Sequence, residues 1–140
     1  MDHQLYSVTE DAFSPFGDIL EFKNDVKRDF SIVVQEKEPG WRLAVFRYDN
    51  HTIDRLERHP TSRESFEPLE GATVLLVAES ASPEDWRAFY LDKPVCLHKN
   101  VWHQVLALTP QASVKITENL EVDAEFYKLP KPVAVTVQAV

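Results

Sequence analysis

The sequence is poor in the residues that mark several familiar protein classes. It has a single cysteine, Cys96, which excludes an intrachain disulfide and any paired-cysteine zinc site. Three glycines in 140 residues leave no glycine-rich phosphate loop. No apolar run approaches membrane-spanning length. The start, Met1-Asp2-His3-Gln4, has no basic stretch leading into an apolar one, so no signal peptide is expected. Basic residues are in deficit: 15 Lys and Arg against 23 Asp and Glu give a net charge of −8. That balance argues against nucleic acid or an anionic membrane as partner. No Ser or Cys nucleophile motif is present. One unpaired cysteine fits a cytoplasmic protein, and Cys96, between Val95 and Leu97, reads as a small buried apolar residue.

What is present is an ordinary globular composition, 44% apolar and 27% charged, in a chain sized for one domain, 1–140. Thr9-Glu10-Asp11 predicts a helix start, and Ser14-Pro15-Phe16-Gly17 ends it, with Phe13 and Phe16 as core anchors. Strands are expected at 18–22, 30–35, 41–48, 72–78, 86–91, 95–98 and 101–108. The run 72–78 is continuously apolar, as a strand covered on both faces requires. Shorter strand signals fall at 112–117 and 126–128. The alternating tail from Pro132 suits a sheet edge or a second chain. Ser82-Pro83-Glu84-Asp85 predicts one helical turn. Many short strands, frequent turns and almost no helix indicate an all-β sandwich or small barrel with a short N-terminal helix.

The stretch Leu56 to Gly71, LERHPTSRESFEPLEG, carries the chemistry. Glu57 and His59 are two residues apart and so share one side of a strand. Pro60 turns the chain, and Glu64 begins the returning strand. His103 shares a strand face with Val101, Val105 and Ala107. His59, Glu64 and His103 make a two-histidine, one-carboxylate set with Glu57 as a fourth ligand, and such a set leaves positions open for substrate. Oxygen and nitrogen donors without thiolate suit Zn, Mn, Fe or Ni. The competing reading pairs Glu57 with Arg55 or Arg58, and Glu64 with Arg63, leaving both histidines to local hydrogen bonds. His98 stands near the pocket mouth or packs there. Arg47, in line with Leu43 and Val45, either extends to the rim or meets an anion inside. His3 and His51 carry less information.

Two spacings resemble the cupin motifs. His59, Glu64 and Gly71 match the first, and His103, three residues after the turn residue Asn100, matches the second. The cupin double-stranded β-helix is therefore the expected fold. The resemblance narrows to the ureidoglycolate lyase (ureidoglycolate hydrolase) family. It rests on Glu57-Arg58-His59-Pro60, Phe66, Pro68-Leu69, Arg87-Ala88-Phe89, the run HKNVWH from His98 to His103, and AFSPFGDILE from Ala12 to Glu21. Arg47 also matches an arginine of that family. Glu64 stands where the family usually has glutamine, which makes this copy look more like a metal-binding cupin. The stretch ENLEVDAEF after Thr117 also departs from the family pattern.

The resemblance implies cleavage of ureidoglycolate to glyoxylate and urea, in purine breakdown. Glu57, His59, Glu64 and His103 are the catalytic candidates; Arg47 and His98 are the substrate-binding ones. His59, Glu64, His103 and Glu57 would hold a divalent metal, and a homodimer is implied. A different metal-dependent cupin enzyme, and a cupin that binds a small molecule without turnover, are the alternatives.

Overall fold

The computed structural model describes residues 3–21 and 33–136. These form β1 (Leu5–Ser7), α1 (Glu10–Phe13), β2 (Gly17–Ile19), β3 (Trp41–Tyr48), β4 (Thr52–Arg58), β5 (Glu64–Glu70), β6 (Thr73–Ala78), β7 (Arg87–Tyr90), β8 (Val95–Leu97), β9 (Trp102–Ala107), β10 (Ala112–Asn119) and β11 (Glu125–Ala134). The strands build two sheets, ordered β1-β7-β6-β9-β4-β11 and β2-β8-β5-β10-β3. The result is a nearly all-β, cupin-like sandwich with one short helix.

Local chemistry accounts for the elements. The Thr9 side chain accepts a hydrogen bond from the Ala12 amide at 3.3 Å, and Glu10 and Asp11 lie in the first turn of α1, where the helix dipole favours negative charge. Ser14 and Pro15 stop the helix after four residues. Asn100 and Gly71 both adopt φ 69°, the left-handed conformation that asparagine and glycine accept most readily. At Gly71 a side chain would also collide with the Gln111 carbonyl, so that turn requires glycine twice over.

The core has two parts. Between the sheets, Leu75 and Val77 of β6 meet Phe13, Phe16, Phe66, Phe89, Val95, Leu97, Val105 and Val114. On the other face of the same strand, Val74, Leu76 and Ala78 pack with Leu56, Trp102, Leu106 and Leu129. β6 is buried at every position, as its unbroken apolar run predicts. Each large apolar side chain removed from water here stabilises the fold by about 1.5–3 kcal/mol.

Several expectations are corrected. Residues 82–85 form a single turn, with the Asp85 amide donating to the Ser82 carbonyl at 3.0 Å, and no helix. Arg87 already pairs with Val77, so the chain must extend before the costly first helical turn can propagate. The first expected strand is shorter, Gly17–Ile19. The strand expected at 30–35 lies partly outside the described residues, and residues 33–35 are not in a strand. β1 was not anticipated; three residues pair in parallel with β7. β10 runs on to Asn119 and β11 spans Glu125–Ala134 despite Pro130 and Pro132. Prolines are tolerated there because β11 is an edge strand and its register against β4 shifts between Lys128 and Val133.

Candidate functional site

The chain crosses from one sheet to the other between Arg58 and Glu64, and this crossing builds the site. Glu57 on β4 lies opposite His103 on β9. His59 follows directly after β4, and Glu64 opens β5 in the facing sheet. Four side chains from two sheets therefore converge. Glu64 Oε1 is 2.8 Å from His103 Nε2 and 3.1 Å from His59 Nε2. Glu57 Oε1 is 3.8 Å from each of those nitrogens. His59, Glu64 and His103 are buried, whereas the Glu57 side chain is 30% exposed, which puts it on the open side.

Backbone carbonyls orient both rings. His59 Nδ1 donates to the Asp123 carbonyl at 2.9 Å, and His103 Nδ1 to the Val101 carbonyl at 3.0 Å. A carbonyl only accepts, so each Nδ1 carries hydrogen and each Nε2 faces Glu64. Carbonyls or carboxylates fix metal-ligating histidines in this way. Glu64 Oε1 and His103 Nε2 lack a partner of acceptable hydrogen-bond geometry despite their burial. Orphaned buried polar atoms are rare and call for a ligand or a strained network. Glu57, His59 and His103 each present a ligand atom within 4.8 Å of the others, so the residues fit a metal ion.

The charges are strongly interdependent. Burial pushes the His59 imidazolium down, but the adjacent Glu64 carboxylate, the Asp123 carbonyl and Glu57 outweigh it and raise the pKa to about 9. His103 is also raised: burial opposes its charge, and the Glu64 carboxylate more than offsets this. Burial alone would raise Glu64, yet the two imidazoles hold it well below the usual carboxylate range.

The nearby arginines do not consume the site's acids. Arg58 bonds Glu125 at 3.1 Å and Arg63 bonds Asp18 at 2.5 Å. Arg55 lies over the Phe126 ring, 4.4 Å from its centroid. The local ion pairs that competed with convergence are therefore not formed. The recess beside the cluster is narrow and partly open, and is lined by His59, Ser62, Glu64, Leu97, His98, Asn100, Val101 and His103. His98 thus stands at the pocket, exposed, with Nε2 3.3 Å from the Ser14 carbonyl. His51 bonds the Ala107 carbonyl, and His3 stacks on Trp86.

Arg47 is not brought in. Ala44 and Tyr48 of β3 face the core, so Leu43, Val45 and Arg47 point to the outer side, where Leu43 is 55% and Val45 69% exposed. Both faces of β3 carry apolar residues, and period-two patterning cannot tell which one is inside.

Two residues of the site escaped sequence reasoning. Glu118, on β10, pairs directly with Glu64 across the ladder. Its Oε2 accepts from Arg42 Nε at 2.9 Å and Nη2 at 2.6 Å. Burial and the neighbouring Glu64 carboxylate raise the Glu118 pKa against the opposing pull of Arg42. The signal was available: Val114, Ile116 and Glu118 alternate on one face of β10.

A sequence profile of the ureidoglycolate lyase family matches residues 27–136. A ureidoglycolate lyase of Rhodobacter capsulatus is 29% identical over 94% of this chain and 94% of its own length. One from Agrobacterium fabrum is 31% identical over 74% of this chain and 75% of its own. A third, from Rhizobium etli, is 28% identical over 76% of each. Among the described residues, no helix is long and apolar enough to cross a membrane.

Proposed function

The chain belongs to the ureidoglycolate lyase family, and from that premise we propose that it cleaves ureidoglycolate to glyoxylate and urea. The observation that supports the reading is the meeting of Glu57, His59, Glu64 and His103 from two sheets, with carboxylate oxygens 2.8–3.8 Å from both imidazoles.

The substrate has a carboxylate, a hydroxyl and a ureido nitrogen on or next to one carbon. As the carbonyl of glyoxylate forms, the hydroxyl loses its proton. The carbon–nitrogen bond breaks, its electron pair goes to urea, and that nitrogen gains a proton. No proton is consumed overall, so one carboxylate can take the proton and return it. Glu57 is suited to this: it is partly exposed and 3.8 Å from both imidazoles. Glu64 stays ionised between the two rings and fixes their Nε2 atoms on one point. When bound, a divalent cation held by His59, Glu64 and His103 would orient the α-hydroxy acid and supply Lewis acidity. Arg47 has no part in this scheme, because it faces outward.

The test is glyoxylate release from ureidoglycolate by purified protein, with Glu57→Gln and His103→Ala alongside. Absence of turnover in the wild type under metal supplementation would sink the reading. Glu64, an acid where the family usually has glutamine, favours a second one: a different metal-dependent enzyme on the same scaffold. Metal retention without ureidoglycolate turnover would select it.

A homodimer is also proposed. β3 is an edge strand whose outer row, Trp41, Leu43 and Val45, is exposed, and a second copy of that row is a self-complementary cover. A monomeric mass by light scattering would contradict it.

A further inference from the structure

The reading above leaves Glu118 and Arg42 without a role, yet they adjoin the site. Glu118 and Glu64 are direct partners in the β5–β10 ladder, and their side chains are only 9% and 8% exposed. Like charges opposite one another in a sheet are destabilising unless something lies between them. Arg42 neutralises one side of Glu118 but is itself half in solvent, 48% exposed. His59, Glu64 and Glu118 each present a ligand atom within 4.8 Å of the others, and Oε1 of the buried Glu64 carboxylate has no well-aligned hydrogen bond.

In the metal-free chain the raised pKa values of His59 and His103 let two imidazoliums and Arg42 balance the three carboxylates of Glu57, Glu64 and Glu118. Ligating imidazoles are neutral, so a bound divalent cation would take the place of those two charges.

We infer that Glu118 is a further cation ligand in this chain, joining the His59 and Glu64 donors of the site. Arg42, which donates to Glu118 Oε2, competes with the cation for it. The inference rests on the cation reading of the proposed function and adds a ligand to it.

Cobalt(II) is the probe, because its visible spectrum reports coordination. Metal-stripped full-length protein is titrated with cobalt in competition with a chromophoric chelator, for the wild type, Glu118→Gln and Arg42→Ala. The expected result is one cobalt per wild-type chain, at least a tenfold weaker dissociation constant for Glu118→Gln with a changed d–d spectrum, and no weakening for Arg42→Ala. Should Glu118→Gln not fold, Glu118→Asp, which keeps the charge and shortens the reach, carries the same expectation of weaker binding and an altered spectrum. Wild-type affinity and spectrum in the Glu118 variant would overturn the inference alone, leaving the cation site standing. Equal weakening by Glu118→Gln and Arg42→Ala would also overturn it, since the pair would then be structural. Failure of the wild type to bind cobalt would overturn the cation reading and this inference together.

Discussion

Two clusters share the space between the sheets, and they are held in opposite ways. In one, Phe13, Phe16 and Phe89 meet edge to face with centroids 5.0–5.8 Å apart, and every atom buried there gains from leaving water. In the other, Glu57, His59, Glu64 and His103 bury charge against charge, with two polar atoms left unpartnered. Buried ion pairs seldom repay their desolvation. The aromatic cluster therefore carries the fold, and the polar one is maintained at its expense for what it can bind.

Breaking each cluster should separate these roles. In the polar cluster, His103→Ala is expected to lower kcat/KM for ureidoglycolate by roughly 10²–10⁴-fold, measured as glyoxylate formed, without a comparable loss of stability. In the aromatic cluster, Phe89→Ala should cost about 3–5 kcal/mol in urea unfolding, while the molecules that remain folded keep their turnover number. If the two variants exchanged these signatures, the division between fold and site would fail.

A smaller effect comes from pH, in metal-free protein. The His59 pKa is raised from 6.5 to about 9 in the folded chain. Its contribution is therefore complete below pH 6.5 and is lost as pH rises through about 9. Glu64 is shifted the other way, from 4.5 downward, so its contribution is present above about pH 4.5 and is lost as pH falls below that. Metal-free stability should peak between about pH 5 and 6.5 and decline by on the order of 2–3 kcal/mol toward pH 9. Thermal unfolding across that range checks it, and Glu64→Gln should flatten the alkaline decline. For the same reason cation uptake near pH 7 should release protons, measurable by calorimetry in two buffers of different ionisation heat.

The smallest effect is expected outside both clusters. Val45→Lys, on the outer row of β3, should change the unfolding free energy of a monomer by no more than about 0.5 kcal/mol. Light scattering on this variant should show loss of a wild-type dimer. Arg47→Ala, on the same row, should leave KM for ureidoglycolate within about twofold, because the side chain faces away from the pocket.

Much of this was legible in the residues themselves. The unbroken run from Thr73 to Ala78 announced a strand buried on both faces, Thr9-Glu10-Asp11 a capped helix, and Asn100 a left-handed turn. His59, Glu64, Gly71 and His103 stood at spacings that resemble the cupin motifs, and that resemblance implied a shared pocket. The failures have physical causes. Ser82-Pro83-Glu84-Asp85 has good capping chemistry, but pairing of Arg87 with Val77 overrides it. On β3 the outer row is as apolar as the inner one, so the pattern left Arg47 open between rim and interior, and the substrate-binding role came only from the resemblance.

Local chemistry in the chain was enough for the capped helix α1, the buried strand β6 and the turns at Gly71 and Asn100, because turn chemistry and alternation act over a few residues. Long-range pairing was needed for β1, for the partners that Arg58 and Arg63 find elsewhere, for Glu118 facing Glu64, and for Arg42 rather than Arg47 reaching Glu118. Those outcomes depend on strand register between segments tens of residues apart, and a shift of one residue would send each of these side chains to the opposite face.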